Sequence, residues 1–75
     1  MSIKNVYKID EKVILEVESL SNGNIKLYGV YNLANKFNIR INDIISSSDN
    51  IVKIEIQLID NYNKIMIGDR MTLLN

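Results

Sequence analysis

The chain contains no cysteine, no histidine, no proline and no tryptophan. Without cysteine there are neither disulfides nor thiolate metal sites to staple the fold, which fits a reducing compartment. Without histidine the chain lacks the commonest general base, the commonest transition-metal ligand and the usual switch near neutral pH, so it points away from enzymes. An excess of charge is missing too. Nine basic and nine acidic residues are spread along the sequence, leaving no electrostatic footprint for nucleic acid or an anionic membrane. No apolar run approaches the roughly 18–20 residues of a membrane span, and Met1-Ser2-Ile3-Lys4-Asn5 lacks the apolar core of a signal peptide. These absences predict a chain that is cytoplasmic when synthesised, with no membrane partner and no cofactor.

What is present is short. At 75 residues the chain is one domain, 1–75, and folding buries only about 60% of its unfolded surface. Stability scales to roughly 4–11 kcal/mol, so a partner or self-association can supply a sizeable share of what holds it together.

The apolar residues fall into alternating runs. Val13, Leu15 and Val17 alternate with Lys12, Glu16 and Glu18, and Ile25, Leu27, Gly29 and Tyr31 alternate with Lys26, Tyr28 and Val30. Ser21-Asn22-Gly23-Asn24 lies between them. Asn-Gly favours a type I′ turn, so a hairpin is predicted over 12–31. Next, Leu33, Ala34, Phe37, Ile41, Ile44 and Ile45 recur at helical spacing, with only Ile39 off that face. Asn32 is placed to cap this helix, Asn38 to break it, and Asn42 with Asp43 to open a second short one. Val52, Ile54, Ile56 and Leu58 alternate with Lys53, Glu55 and Gln57, which predicts a half-buried strand over 51–60. After the turn Asp60-Asn61-Tyr62-Asn63, a last strand over 64–67 and 70–74 bends at Gly68-Asp69. Residues 3–9 alternate weakly, as an edge strand or arm. The expected fold is α+β: a β-hairpin, a short helix or helix-turn-helix, and a second β-hairpin. A small all-β barrel is the alternative, in which 32–45 is loop and short strand.

Residues 33–45, with Leu33-Ala34, the aromatic Phe37, then Asn38, Ile39 and Ile41 and the pair Ile44-Ile45, resemble the helical core of LysM domains. Ile65-Met66-Ile67-Gly68-Asp69-Arg70-Met71-Thr72-Leu73 resembles their closing strand. The two pieces cover about a third of the chain. They lack the family's opening Gly-Asp-Thr-Leu turn, have Asp69 in place of its Gln, and leave 51–60 as an insertion. The resemblance implies a βααβ unit of the kind found in peptidoglycan-binding proteins and in phage tail or baseplate proteins. Residues 33–45 also resemble a helix-turn-helix, with Ala34 close-packed, Asn38 in the turn, and Arg40 and Asn42 offered to DNA. With no net positive charge, counterion release would add little affinity there.

Ile14, Val30, Ile39, Ile51, Ile59 and Met66 sit on faces that a single helix-covered sheet leaves wet, as an interface would. Tyr28, Tyr31, Asn32, Ser48 and Asp49 are the candidate ligand-binding residues, with tyrosine able to stack on a sugar and the polar groups to hydrogen-bond it. Glu16 and Glu18 share a strand face, but no third acid or base joins them. Asp49 and Asn50 beside three serines offer oxygen to a hard cation, yet loops of this composition ordinarily satisfy backbone donors, so no metal site is assigned. The expected function is a non-catalytic protein-interaction or structural module. It would self-associate or dock in a larger assembly such as a phage tail or baseplate, and so belong to a virion or secreted particle. A LysM-like peptidoglycan-binding module and a helix-turn-helix regulator are the alternatives, nucleic acid being the less expected partner.

Overall fold

The computed structural model describes residues 1–19, 25–57 and 59–74. Six strands, β1 (Ser2–Ile9), β2 (Lys12–Glu18), β3 (Val30–Leu33), β4 (Phe37–Ser48), β5 (Ile51–Ile56) and β6 (Met71–Leu73), form one antiparallel sheet. The order across it is β1-β2-β5-β4-β3-β6. The sheet curls into a half-barrel, and the only helical element among the described residues is a 3-10 turn, Tyr62–Lys64. The α+β expectation is therefore overturned in favour of an all-β architecture.

The correction falls on residues 33–45. Ala34 and Asn35 both have positive φ, 54° and 58°, and the Lys36 N–H donates to the Leu33 carbonyl at 2.9 Å. That is the geometry of a type I′ turn, which reverses the chain between β3 and β4 and leaves no room for a helix start. Asn32 caps this turn instead, its Oδ1 accepting the Asn35 N–H at 3.0 Å. Phe37, Ile39 and Ile41 then face inward along β4 at period 2, and Ile39, the residue that falls off the helical face, is only 2% exposed. Extra residues at Asn42 and Ile45 shift the β4–β5 register, so they place Ile44 and Ile45 side by side in a strand.

The hairpin expected over 12–31 is corrected as well. β2 is a strand with Val13, Leu15 and Val17 buried, but it pairs with β1 and β5, not with residues 25–31. The expected turn at Asn22-Gly23 lies outside the described residues. With β3, β4 and β5 joined in sequence and β2 lying beside β5, the four strands make a Greek key. β5 is the expected half-buried strand, with Ile54 and Ile56 inside, whereas Leu58 is not described.

The two ends of the sheet meet at one corner. Ile3 N–H donates to the Asp69 carbonyl at 2.8 Å, Gly68 N–H to the Ile3 carbonyl at 2.7 Å, and Met71 N–H to the Met1 carbonyl at 3.0 Å. Gly68 has φ +95°, which suits glycine and strains other residues. Beyond this corner, β1 meets the same segment once more, where Lys8 Nζ lies 5.8 Å from the centre of the Tyr62 ring. Val6 N–H is taken by Asn5 Oδ1 at 3.0 Å. Both devices blunt the outer edge of β1 against pairing with another chain.

Ile39→Ala should cost about 2–4 kcal/mol in urea unfolding, the range for an isoleucine removed from a packed core. A loss below about 0.5 kcal/mol, as for a surface residue, would contradict this placement.

Candidate functional site

β3 alternates: Tyr31 and Leu33 point into the core, and Val30 and Asn32 point out. Register sets their neighbours. Val30 lies opposite Arg40 of β4, and Leu74 N–H donates to the Val30 carbonyl at 2.9 Å, so Leu74, Val30 and Arg40 form one row. Thr72, Asn32 and Asn38 form the next row. Asn32 Nδ2 donates to Asn38 Oδ1 at 3.1 Å, which fixes both amides.

Tyr28 completes this face, and it is held there from inside the core. Tyr31 is fully buried, and its hydroxyl accepts the Lys26 N–H at 2.9 Å. Gly29 N–H donates to the Lys26 carbonyl at 2.9 Å, and Tyr28 N–H donates to the Ile41 carbonyl at 2.9 Å. A Cβ at Gly29 would stand 2.9 Å from the Lys26 oxygen and 3.1 Å from the Tyr31 ring, so the turn closes this tightly only with glycine. The result is a left-handed Tyr28, φ 64°, a residue 61% exposed. The Arg40 guanidinium lies 5.6 Å from the centre of its ring. An exposed cation–π pair of this kind contributes about 0.5–1 kcal/mol. A bulky non-glycine residue in this conformation is uncommon, and such outliers cluster at functional sites.

The charge on the face is one-sided. Residues 25–40 contain Lys26, Lys36 and Arg40 and no carboxylate. Among the described residues, Lys26, Arg40 and Arg70 have no ion-pair partner. The outer face of β1, β2 and β5 is laced by Lys4–Glu18 at 3.3 Å, Lys53–Glu16 at 3.8 Å and Lys12–Glu55 at 3.9 Å. Exposed pairs of that kind contribute little individually, but they cancel charge locally.

The face gathers some of the residues singled out from sequence and leaves others elsewhere. Tyr28, Asn32 and Val30 lie on it. Tyr31 is inside, as the support of the turn. Ser48 and Asp49 are exposed at the β4–β5 turn, on a different part of the sheet. Ile14 is only 4% exposed and lies across the sheet from Tyr7 on one side and Glu55 on the other. Ile14 and Ile39 are thus taken up within one chain and do not form a wet surface. Ile51 is half-buried, and Ile59 packs against the core. Sequence reasoning did not put Arg40, Asn38, Thr72, Arg70 and Leu74 on one surface. The readable signal was the carboxylate-free run 25–40.

Compared with protein-family models, curated proteins and solved structures, the chain matches none. Among the described residues no helix is long and apolar enough to cross a membrane, and no group of three or more carboxylates is placed to hold a metal ion.

Met66, the remaining predicted interface residue, is 62% exposed on a separate turn next to Ile67. Asp69 fixes that turn. Its N–H donates to the Met66 carbonyl at 3.0 Å, while its Oδ2 accepts the Met66 N–H at 2.9 Å and Lys36 Nζ at 2.9 Å. Lys36 Nζ also donates to the Lys64 carbonyl at 3.0 Å. Burial alone would raise the Asp69 pKa, but the Met66 N–H and the Lys36 ammonium together outweigh it and hold the carboxyl below its ordinary 3.8. A lowered folded-state pKa means stability that is full above about 3.8 and lost as pH falls through the lower folded value. Asp69→Asn should therefore cost about 1–2 kcal/mol near pH 6, as a charge-assisted bond does, with the gap to the unsubstituted chain narrowing towards about pH 2. Thermal unfolding followed by circular dichroism measures both. A gap that is the same at both pH values would contradict the assignment.

Proposed function

We propose that the chain is a non-catalytic protein-binding module that docks through the outer face of β3, β4 and β6. The observation that carries this reading is the Tyr28–Arg40 pair, exposed and fixed in place, beside the apolar Val30 and Leu74. Tyrosine and arginine are over-represented among residues that dominate binding energy. A pair ordered before binding also loses less conformational freedom on docking. The larger assembly is a homo-oligomer or a particle such as a phage tail or baseplate; the LysM resemblance adds no support, because residues 33–45, its helical core, fold as the β3–β4 hairpin.

The contact would be made by side chains on the sheet face. Strand addition at the start of β1 is disfavoured, because Ile3 is already bonded to the Gly68–Asp69 backbone and Asn5 Oδ1 takes the Val6 N–H. A helix-turn-helix regulator would need a recognition helix, and the described residues contain none.

Benzoylphenylalanine placed at Asn38 should give protein adducts on irradiation in a cell lysate, whereas the same probe at Glu16, on the ion-paired face, should give none above background. Arg40→Ala should lower the Asn38 adducts by about tenfold, the equivalent of ~1.4 kcal/mol. Equal labelling at both positions, or adducts to glycan alone, would contradict the proposal.

A further inference from the structure

The charge that the docking face lacks is found elsewhere on the same molecule. Residues 25–40 and 59–74 carry five cations against two carboxylates, and the rest of the chain carries four against seven. The neutral total hides this segregation. One acidic feature also carries an apolar anchor: the tip of the β1–β2 hairpin. Ile9 and Lys12 pair across it, Asp10 and Glu11 form the two-residue turn, and Asp10 has φ 54°. Ile9 is more than half exposed, and both carboxylates are exposed. Among the described residues neither carboxylate has an ion-pair partner. The adjacent cations are engaged elsewhere, Lys12 with Glu55 at 3.9 Å and Lys8 over the Tyr62 ring at 5.8 Å. The tip thus offers one apolar side chain and two carboxylates. The face offers Val30 and Leu74 with Arg40 opposite Val30, while Arg70, level with Ala34, adds a second cation at the far end of the same strands.

From this complementarity we infer that the partner is a second copy of the chain, associated head to tail, with the β1–β2 tip of one copy docked on the β3–β4–β6 face of the next. The inference rests on the protein-binding reading of that face. The tip belongs to β1 and β2 and the face to β4, β3 and β6, with β5 between them in the sheet order, so each copy carries the two surfaces on different strands. A contact between two different surfaces of one molecule does not stop at a dimer by symmetry, and it grows into a ring or an open chain. A hairpin tip on one face lies at the small end of specific interfaces, under about 1,200 Å². Association is accordingly weak, appears at high protein concentration and is reduced by salt.

A mixing experiment decides it. Arg40→Glu spoils the face and leaves the tip intact. Asp10→Asn with Glu11→Gln spoils the tip and leaves the face intact, asparagine being a residue that tolerates the left-handed turn and a neutral tip having no attraction for the Arg40→Glu face. In size-exclusion chromatography with multi-angle light scattering across a concentration series, the unsubstituted chain should rise in mass above a dimer. Each variant alone should stay at the 8.6 kDa of one chain, and an equimolar mixture should give a species of twice that mass and nothing larger. Thermal unfolding checks that each variant is folded, and Arg40→Gln and Glu11→Gln replace any that is not.

Self-association of the unsubstituted chain without rescue in the mixture would overturn the head-to-tail contact. A monomer at every concentration would overturn self-association itself. In that second case, the photo-crosslinks at Asn38 to other proteins would still stand or fall separately.

Discussion

The architecture depends on the corner where the chain's first residues meet its last strand. β6 has only three residues and one strand neighbour, β3, too little pairing to hold it by itself. Its position is set by the bonds between Ile3 and the Gly68–Asp69 backbone, by Met71 on Met1, and by Asp69 bridging Lys36 and the Met66 N–H. A chain this short buries only about 60% of its unfolded surface, so the corner does two jobs. It curls the sheet over Ile3, Leu15, Leu33, Ile41 and Ile54, which are completely buried. It also brings Thr72 and Leu74 alongside Asn32 and Val30, without which the docking face would be a two-stranded ribbon.

The same logic links core and surface through Tyr31. Its ring fills the interior, and its hydroxyl reaches out to the Lys26 N–H, satisfying a polar group that would otherwise be costly to bury. That bond anchors the turn which sets Tyr28 in the left-handed region and its ring against Arg40. The exposed aromatic is therefore fixed by a buried one three residues away, and the strain at Tyr28 is sustained by packing that does not itself face a partner.

How much of this was legible follows from how the hydrophobic pattern arises. β2 and β5 were readable because their inward residues, Val13-Leu15-Val17 and Val52-Ile54-Ile56, recur at period 2, even though Ile14 is buried on the other face of β2. Residues 33–45 were misread because Leu33, Phe37 and Ile41 are spaced by four, which fits both a helix and every second inward position of a strand. Ile39 was the discriminating residue: a strand needs it inside and a helix does not. Bulges at Asn42 and Ile45 then disturbed the alternation that would have exposed the error. Pairing of β2 with β5 across the Greek key is non-local, and no short window contains it. On the surface, Tyr28 and Asn32 were identifiable as polar or aromatic residues near a turn. Their association with Arg40, Asn38 and Thr72 is a product of register, which sequence alone does not specify.

Native-state amide hydrogen exchange by NMR, read at Ile3, Gly68 and Met71, tests the dependence on the corner most directly. If the corner holds the fold closed, these three amides exchange only through global unfolding, with the same free energy as the amides of β2 and β5 in the centre of the sheet. Exchange several orders of magnitude faster, at a rate typical of a fraying terminus, would contradict that dependence and mean that the half-barrel stands without its corner.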